Sequence, residues 1–137
     1  MGDLFEDFSK RIKEKDEINR LKKEQKAANR EICNKITNDV NEIMVKACQA
    51  IANADPKVSA NFSTQNLVKL IFDENGQKDY LILHLTKVQT DFVTVNQSEN
   101  PLLPTGSVLY DGRPDLDKIT KEILSAIESW YDRVTAL

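Results

Sequence analysis

The stretch NLVKLIFDENGQKDYLILHLTKV, residues 66–88, contains two apolar runs on either side of DENG, residues 73–76. An Asn-Gly pair between two such runs is the strongest short signal for a β-hairpin. In the second run, strict alternation places Leu81, Leu83 and Leu85 on one face of the strand. The stretch therefore predicts an antiparallel sheet with one apolar face that other elements must cover.

Elements on both sides of this hairpin extend the pattern. DFVTV (91–95) reads as a third strand, whereas SVLYDG (107–112) and VSANFS (58–63) are weaker candidates for a short final strand and an edge strand. No proline or glycine interrupts residues 3–54, where Asp3 is predicted as the N-cap, and Pro114-Asp115 opens a last helix. We predict an α+β fold with a long N-terminal helix, a three- or four-stranded antiparallel β meander, and a C-terminal helix packed on one face of the sheet.

The long helix divides into two parts of different composition. Its second part, from about residue 31 to 54, is rich in Ile, Val, Met and Ala, and we expect Ile36, Val40, Ile43 and Ile51 to face the sheet. A helix over residues 3–54 would be about 78 Å long, whereas a strand of six to eight residues spans about 20–27 Å. The first part must then project, fold back or pair with another chain. We predict a basic helical extension at 1–30 and an α+β domain at 31–137.

Charge is distributed unevenly along the chain. The net charge is −3, but residues 10–30 carry nine Lys or Arg and four Asp or Glu. An anionic partner such as nucleic acid is therefore one hypothesis. Acidic residues are interspersed, and no aromatic residue between 11 and 31 could stack on bases, which favours a protein partner. The candidate anion-binding residues are Lys13, Arg20, Lys22, Lys23, Lys26 and Arg30.

Apolar residues of the same segment form the candidate partner-binding site. They recur at helical spacing but are too few for a strong coiled coil. The alternate strand face, with Tyr80 and Ile82, is also expected to remain partly apolar and open to a second protomer. We predict a homodimer, with another protein as the other possible partner. The candidate partner-binding residues are Phe8, Ile12, Ile18, Leu21 and Ala28.

Chemistry-bearing residues are sparse. His84 is the single histidine, and Cys33 and Cys48 lie about 22 Å apart along one helix, too far to form a disulfide. These three residues supply too few ligands at usual spacings for zinc. PDLDK (114–118) faintly resembles a nuclease metal motif, but proline and aspartate are also expected where a helix begins. We predict no catalytic site, no metal and no cofactor, and therefore no enzyme.

The function expected from the sequence is accordingly an interaction function. The chain has no apolar run long enough to span a bilayer and starts with the acidic MGDLFEDF, so we expect it to be cytoplasmic. The order of elements is similar to that of small secretion chaperones and adaptor-like domains, in order alone. We predict a non-enzymatic protein–protein interaction or adaptor/chaperone-like domain that self-associates. The alternative is a nucleic-acid-associated protein that uses the basic N-terminal helix.

Overall fold

The computed structural model of the chain describes residues 3–136 and contains two helices and one antiparallel sheet. The predicted α+β class is confirmed, with five strands in place of three or four. Each strand pairs with its neighbours in sequence, in the order β1-β2-β3-β4-β5. The elements are α1 (Asp3–Ala54), β1 (Val58–Asn61), β2 (Leu67–Glu74), β3 (Gln77–Gln89), β4 (Phe92–Ser98), β5 (Ser107–Gly112) and α2 (Leu116–Thr135).

The β2–β3 hairpin forms where the Asn-Gly pair predicts it. Glu74 pairs with Gln77, so the loop consists of Asn75 and Gly76 alone. Both residues have positive φ, 55° and 84°, as a type I′ turn requires. The Gly76 N–H also donates to Asp73 Oδ1 at 3.2 Å, so the side chain of Asp73 stabilises the turn.

Local signals also set the helix ends. α1 stops at Ala54, directly before Asp55-Pro56, because the residue before a proline is disfavoured in helical conformation. Asp3, predicted as the N-cap, is instead the first residue of α1. Asp115 is the N-cap of α2 and accepts a hydrogen bond from the Lys118 N–H at 3.2 Å. The PDLDK stretch therefore opens a helix, and Asp115 has a capping role there.

The chain divides into two compact units, one that ends at Asn34 and one that begins at Lys35. The described core lies entirely in the second unit. Leu81, Leu83 and Leu85 are buried on the predicted strand face, and Trp130 of α2 packs in the same cluster. The other buried apolar residues of this cluster are Ile36, Val40, Met44, Ala47, Cys48, Val58, Val68, Leu70, Phe72, Val93, Val95, Ile119, Ile123 and Ile127.

The face that α1 buries differs slightly from the predicted one. Ile36 and Val40 are buried as expected, but Ile43 and Ile51 are only partly buried. Met44 and Cys48 occupy the centre, since buried positions 36, 40, 44 and 48 follow a spacing of four residues. Ile43 therefore lies at the edge of the buried stripe, whereas Ile51 lies within its arc but in the last turn of α1.

The second face of the sheet is less open than the sequence predicts. Ile82 at its middle is only 3% exposed, and Ile71 and Tyr80 are half-buried. The Lys69 Nζ lies 4.7 Å from the centroid of the Tyr80 ring, a cation–π contact next to Ile82. Polar residues lie further along the same face, where Thr86 Oγ1 donates to Asn96 Oδ1 at 2.8 Å and the buried Nδ1 of His84 has no hydrogen-bond partner among the described residues. This face is largely covered by its own side chains.

One polar contact ties the end of α1 to α2. The Tyr131 hydroxyl donates to the Asp55 carboxylate, and the Lys57 N–H donates to the same side chain. The hydrogen bond from Tyr131, followed by that from the Lys57 N–H, lowers the pKa of Asp55 below its usual value.

We therefore expect the Asp55–Tyr131 contact to stabilise the domain above the unfolded-state pKa of an aspartate, about 4. A lowered folded-state pKa means that this stability is lost as pH falls through the folded-state value. Tyr131→Phe should lower the free energy of unfolding at pH 7 and weaken its decline between neutral and acid pH. Urea unfolding of both proteins across that range measures the difference. Parallel pH profiles would contradict the contact's role.

Candidate functional site

The apolar side chains of the first unit are exposed, in contrast to those of the second. From Leu4 to Ile32, the large apolar side chains are between 46% (Ile32) and 78% (Phe5) exposed, whereas Met44 on the same helix is fully buried. An exposed set of this size on one element is the usual mark of an interaction surface. The helix has no break in this segment, so each side chain's direction follows from about 100° of rotation per residue.

One apolar set lies along the C-terminal part of this segment. Its positions follow spacings of three and four residues over two heptads, which is the a/d pattern of a helix-pairing seam. Gln25 is the polar residue of this set, and its Nε2 donates a hydrogen bond to Asn29 Oδ1 at 2.9 Å. We call this set the seam; it consists of Ile18, Leu21, Gln25, Ala28 and Ile32.

A second apolar set lies in the first three turns and points elsewhere. Its four residues fall within an arc of about 100°, and the centre of that arc is about 130° away from the centre of the seam. Two of the four are phenylalanines, and all four are exposed. We call this set the N-terminal cluster; it consists of Leu4, Phe5, Phe8 and Ile12.

Basic residues follow the N-terminal cluster along the same side of the helix. Lys15, Lys22, Lys23, Lys26 and Arg30 fall within the same arc of about 100°, and we call them the basic face. Glu17, Glu24 and Glu31 lie on the opposite side, while Asp16 lies at the edge of the basic face. Acidic residues are thus interspersed in sequence but separated from the basic face on the helix surface.

The structure accordingly divides the predicted site residues between surfaces. Ile18, Leu21 and Ala28 lie together on the seam, whereas Phe8 and Ile12 belong to the N-terminal cluster. Of the predicted anion-binding residues, Lys22, Lys23, Lys26 and Arg30 share the basic face. Lys13 lies on the opposite side, and Arg20 lies outside the arc, where it forms an ion pair with Glu17 at 3.7 Å. Leu4, Phe5, Lys15, Gln25 and Ile32 were not predicted as site residues.

A groove in the second unit offers a different kind of surface. It has a volume of about 800 Å³ and lies between α2, the β3–β5 end of the sheet and the 99–106 loop. Its apolar floor includes Leu81, Leu103 and Leu109, and Arg133 at its rim pairs with Glu99. Serine hydroxyls also line the groove, together with the carboxylates of Glu99 and Glu122, and its described lining includes no histidine.

Two further reactive side chains, Cys48 and His84, lie outside the groove. Burial raises the pKa of the Cys48 thiol to about 12, so at neutral pH this group is not a nucleophile. His84 lies on the outer face of the sheet, across from Leu67 on β2 and Asn96 on β4. Within residues 3–136, no cluster of His, Cys, Asp or Glu could hold a metal ion. In the same range, no helix is long and apolar enough to cross a bilayer.

Comparisons with known proteins add no relative, since no family model, no curated protein and no solved structure matches this chain.

Proposed function

We propose that this chain is a non-enzymatic interaction protein that self-associates through the seam of its N-terminal helical segment. The observation that carries the proposal is the exposure of Ile18, Leu21 and Ile32 on one side of a continuous helix. Pairing with another helix is one established way for a helix to remove such a stripe from water. A second copy of the chain supplies a matching helix without any further component.

The composition of the seam suits pairing between like helices. The five seam positions alternate in spacing between three and four residues, as two-stranded coils do, and Ile18, Leu21 and Ile32 supply branched apolar side chains among them. Ala28 permits a close approach of the partner helix. Gln25 in the middle is a polar seam residue, and such residues favour one register over its alternatives at a cost in stability.

The expected association is weak. Because Ile18, Leu21 and Ile32 are only about half exposed, two copies give about 4–9 kcal/mol of gross apolar burial, which is half of the usual value of about 1.5–3 kcal/mol for each side chain. Lost rotational and translational freedom costs about 4–15 kcal/mol, so the net gain is small. We therefore expect a dissociation constant in roughly the micromolar range or weaker. Such a dimer forms and dissociates as the protein concentration changes.

The outer face of the sheet is a less favourable surface for self-association than the seam. Ile82 is already buried by its own neighbours, and the Lys69 ammonium lies against the Tyr80 ring. A second sheet stacked there would have to desolvate the Lys69 ammonium, which costs free energy.

The experiment that tests the proposal is the replacement of Ile18 and Leu21 by aspartate in the full chain. Sedimentation equilibrium then reports whether the variant still associates. Loss of association supports the seam, and association at the wild-type level contradicts it.

A further inference from the structure

We propose that the side of the N-terminal helix formed by the N-terminal cluster and the basic face binds an anionic lipid surface. One side of the helix then explains both features, because the apolar side chains enter the interface and the basic side chains meet the headgroups. The inference does not depend on the seam, which lies about 130° away around the helix.

The geometry provides one long, continuous contact side. From Leu4 to Arg30 the helix rises about 39 Å, and the side carries four large apolar residues followed by five basic ones. Leu4, Phe5 and Phe8 are each more than half exposed. A helix that lies flat on a bilayer buries such side chains by about 5–10 Å, at the boundary of headgroups and acyl chains.

The charges on this side are of one sign. Lys15, Lys22, Lys23, Lys26 and Arg30 are accompanied within the arc by the neutral Asn19, with Asp16 at its edge. The acidic residues Glu17, Glu24 and Glu31 would face away from the surface. The arrangement therefore complements a negative surface, although the segment as a whole is of mixed charge.

A lipid surface fits these observations better than a polynucleotide does. Aromatic side chains that stack on bases lie between the basic residues that hold the phosphates. Here Phe5 and Phe8 lie at least seven residues before Lys15, about 10 Å along the helix. Phe5 and Phe8 form an apolar end of the helix together with Leu4 and Ile12. A bilayer can bury these side chains, whereas a phosphate backbone cannot.

The test is cosedimentation of the full chain with vesicles of phosphatidylcholine, with and without roughly one third phosphatidylserine. The wild-type chain is expected to bind the anionic vesicles and to lose binding as salt is raised. Lys22→Gln with Lys26→Gln should weaken binding about thirtyfold, because each basic residue near an anionic surface contributes about a factor of five. Phe5→Ser with Phe8→Ser should weaken it about a hundredfold through lost apolar burial.

Two matched controls separate this side of the helix from total charge and total apolarity. Lys10→Gln with Lys13→Gln makes the same charge change on the opposite side and should alter binding by no more than about threefold. Leu102→Ser removes an apolar side chain of the 99–106 loop that is 85% exposed. This second control should leave binding unchanged.

Three results would overturn the proposal. One is no binding to anionic vesicles at low salt. Another is equal loss in the two lysine pairs, which would indicate a response to net charge alone. The third is retention on duplex or single-stranded DNA together with no vesicle binding. If that retention needs Lys22 and Lys26 but tolerates Phe5→Ser with Phe8→Ser, the basic face is assigned to a polynucleotide.

Discussion

Replacing Ile18 and Leu21 together by aspartate is expected to abolish self-association while leaving the free energy of unfolding nearly unchanged. Both side chains are half exposed in the single chain, so the domain core loses nothing when they become polar. In a paired seam, however, the change places four carboxylates in an apolar contact, where unpaired charge is strongly unfavourable. Sedimentation equilibrium measures association, and urea unfolding confirms that the fold is retained.

The control for this prediction is Lys22→Gln with Lys23→Gln. These residues neighbour Leu21 in sequence but lie on the basic face, so their neutralisation should leave association nearly intact. The opposite order, with the glutamine pair disrupting association and the aspartate pair tolerated, would assign self-association to charge and reject the seam.

Met44→Ala is expected to cost about 2–5 kcal/mol of the free energy of unfolding, as a buried large-to-small change. Met44 is fully buried against the sheet and α2. Ile18→Ala, on the same helix, should cost less than about 0.5 kcal/mol at concentrations where the chain is monomeric. Urea unfolding at low protein concentration gives both values.

The comparison within one helix tests how the chain is divided. The described core begins at Ile36, so the residues before it should contribute little to unfolding of the second unit. Ile43→Ala should fall between the two variants, since Ile43 lies at the edge of the buried stripe. Equal losses at Met44 and Ile18 would refute the division.

The sequence is informative about the fold where local chemistry alone dictates the structure. Asn75 and Gly76 adopt positive φ values, which few other residue pairs tolerate. Asp55-Pro56 ends α1 because the residue before a proline is sterically disfavoured in a helix. The sequence predicts three or four strands in place of five because β1 and β5 are short edge strands, whose pairing depends on the register of β2 and β4. Met44 and Cys48 are buried while Ile43 lies at the edge of the stripe because the exact helix rotation is set by packing, and Ile51 is only partly buried in the last turn of α1.

The candidate site was predicted in part. The sequence places the candidate residues on the first part of the long helix, and Ile18, Leu21 and Ala28 lie together on one side of that helix, the seam. Phe8 and Ile12 were grouped with them because a stripe of exposed residues was read by spacing alone, without following the rotation across the gap between Ile12 and Ile18. The separation of acidic from basic side chains needed an unbroken helix from Asp3 onward, which the structure provides.

The measurement that tests the central claim most directly is sedimentation equilibrium of the full chain beside a chain that lacks residues 1–28. The truncated chain keeps the entire described core, which begins at Ile36, but loses Ile18, Leu21 and Ala28 of the seam. We predict that the mass of the full chain rises from 15.6 kDa toward twice that value as concentration increases, and that the truncated chain is folded and monomeric throughout. A full chain that stays at 15.6 kDa over the whole range, or a truncated chain that associates equally well, would contradict self-association through the seam.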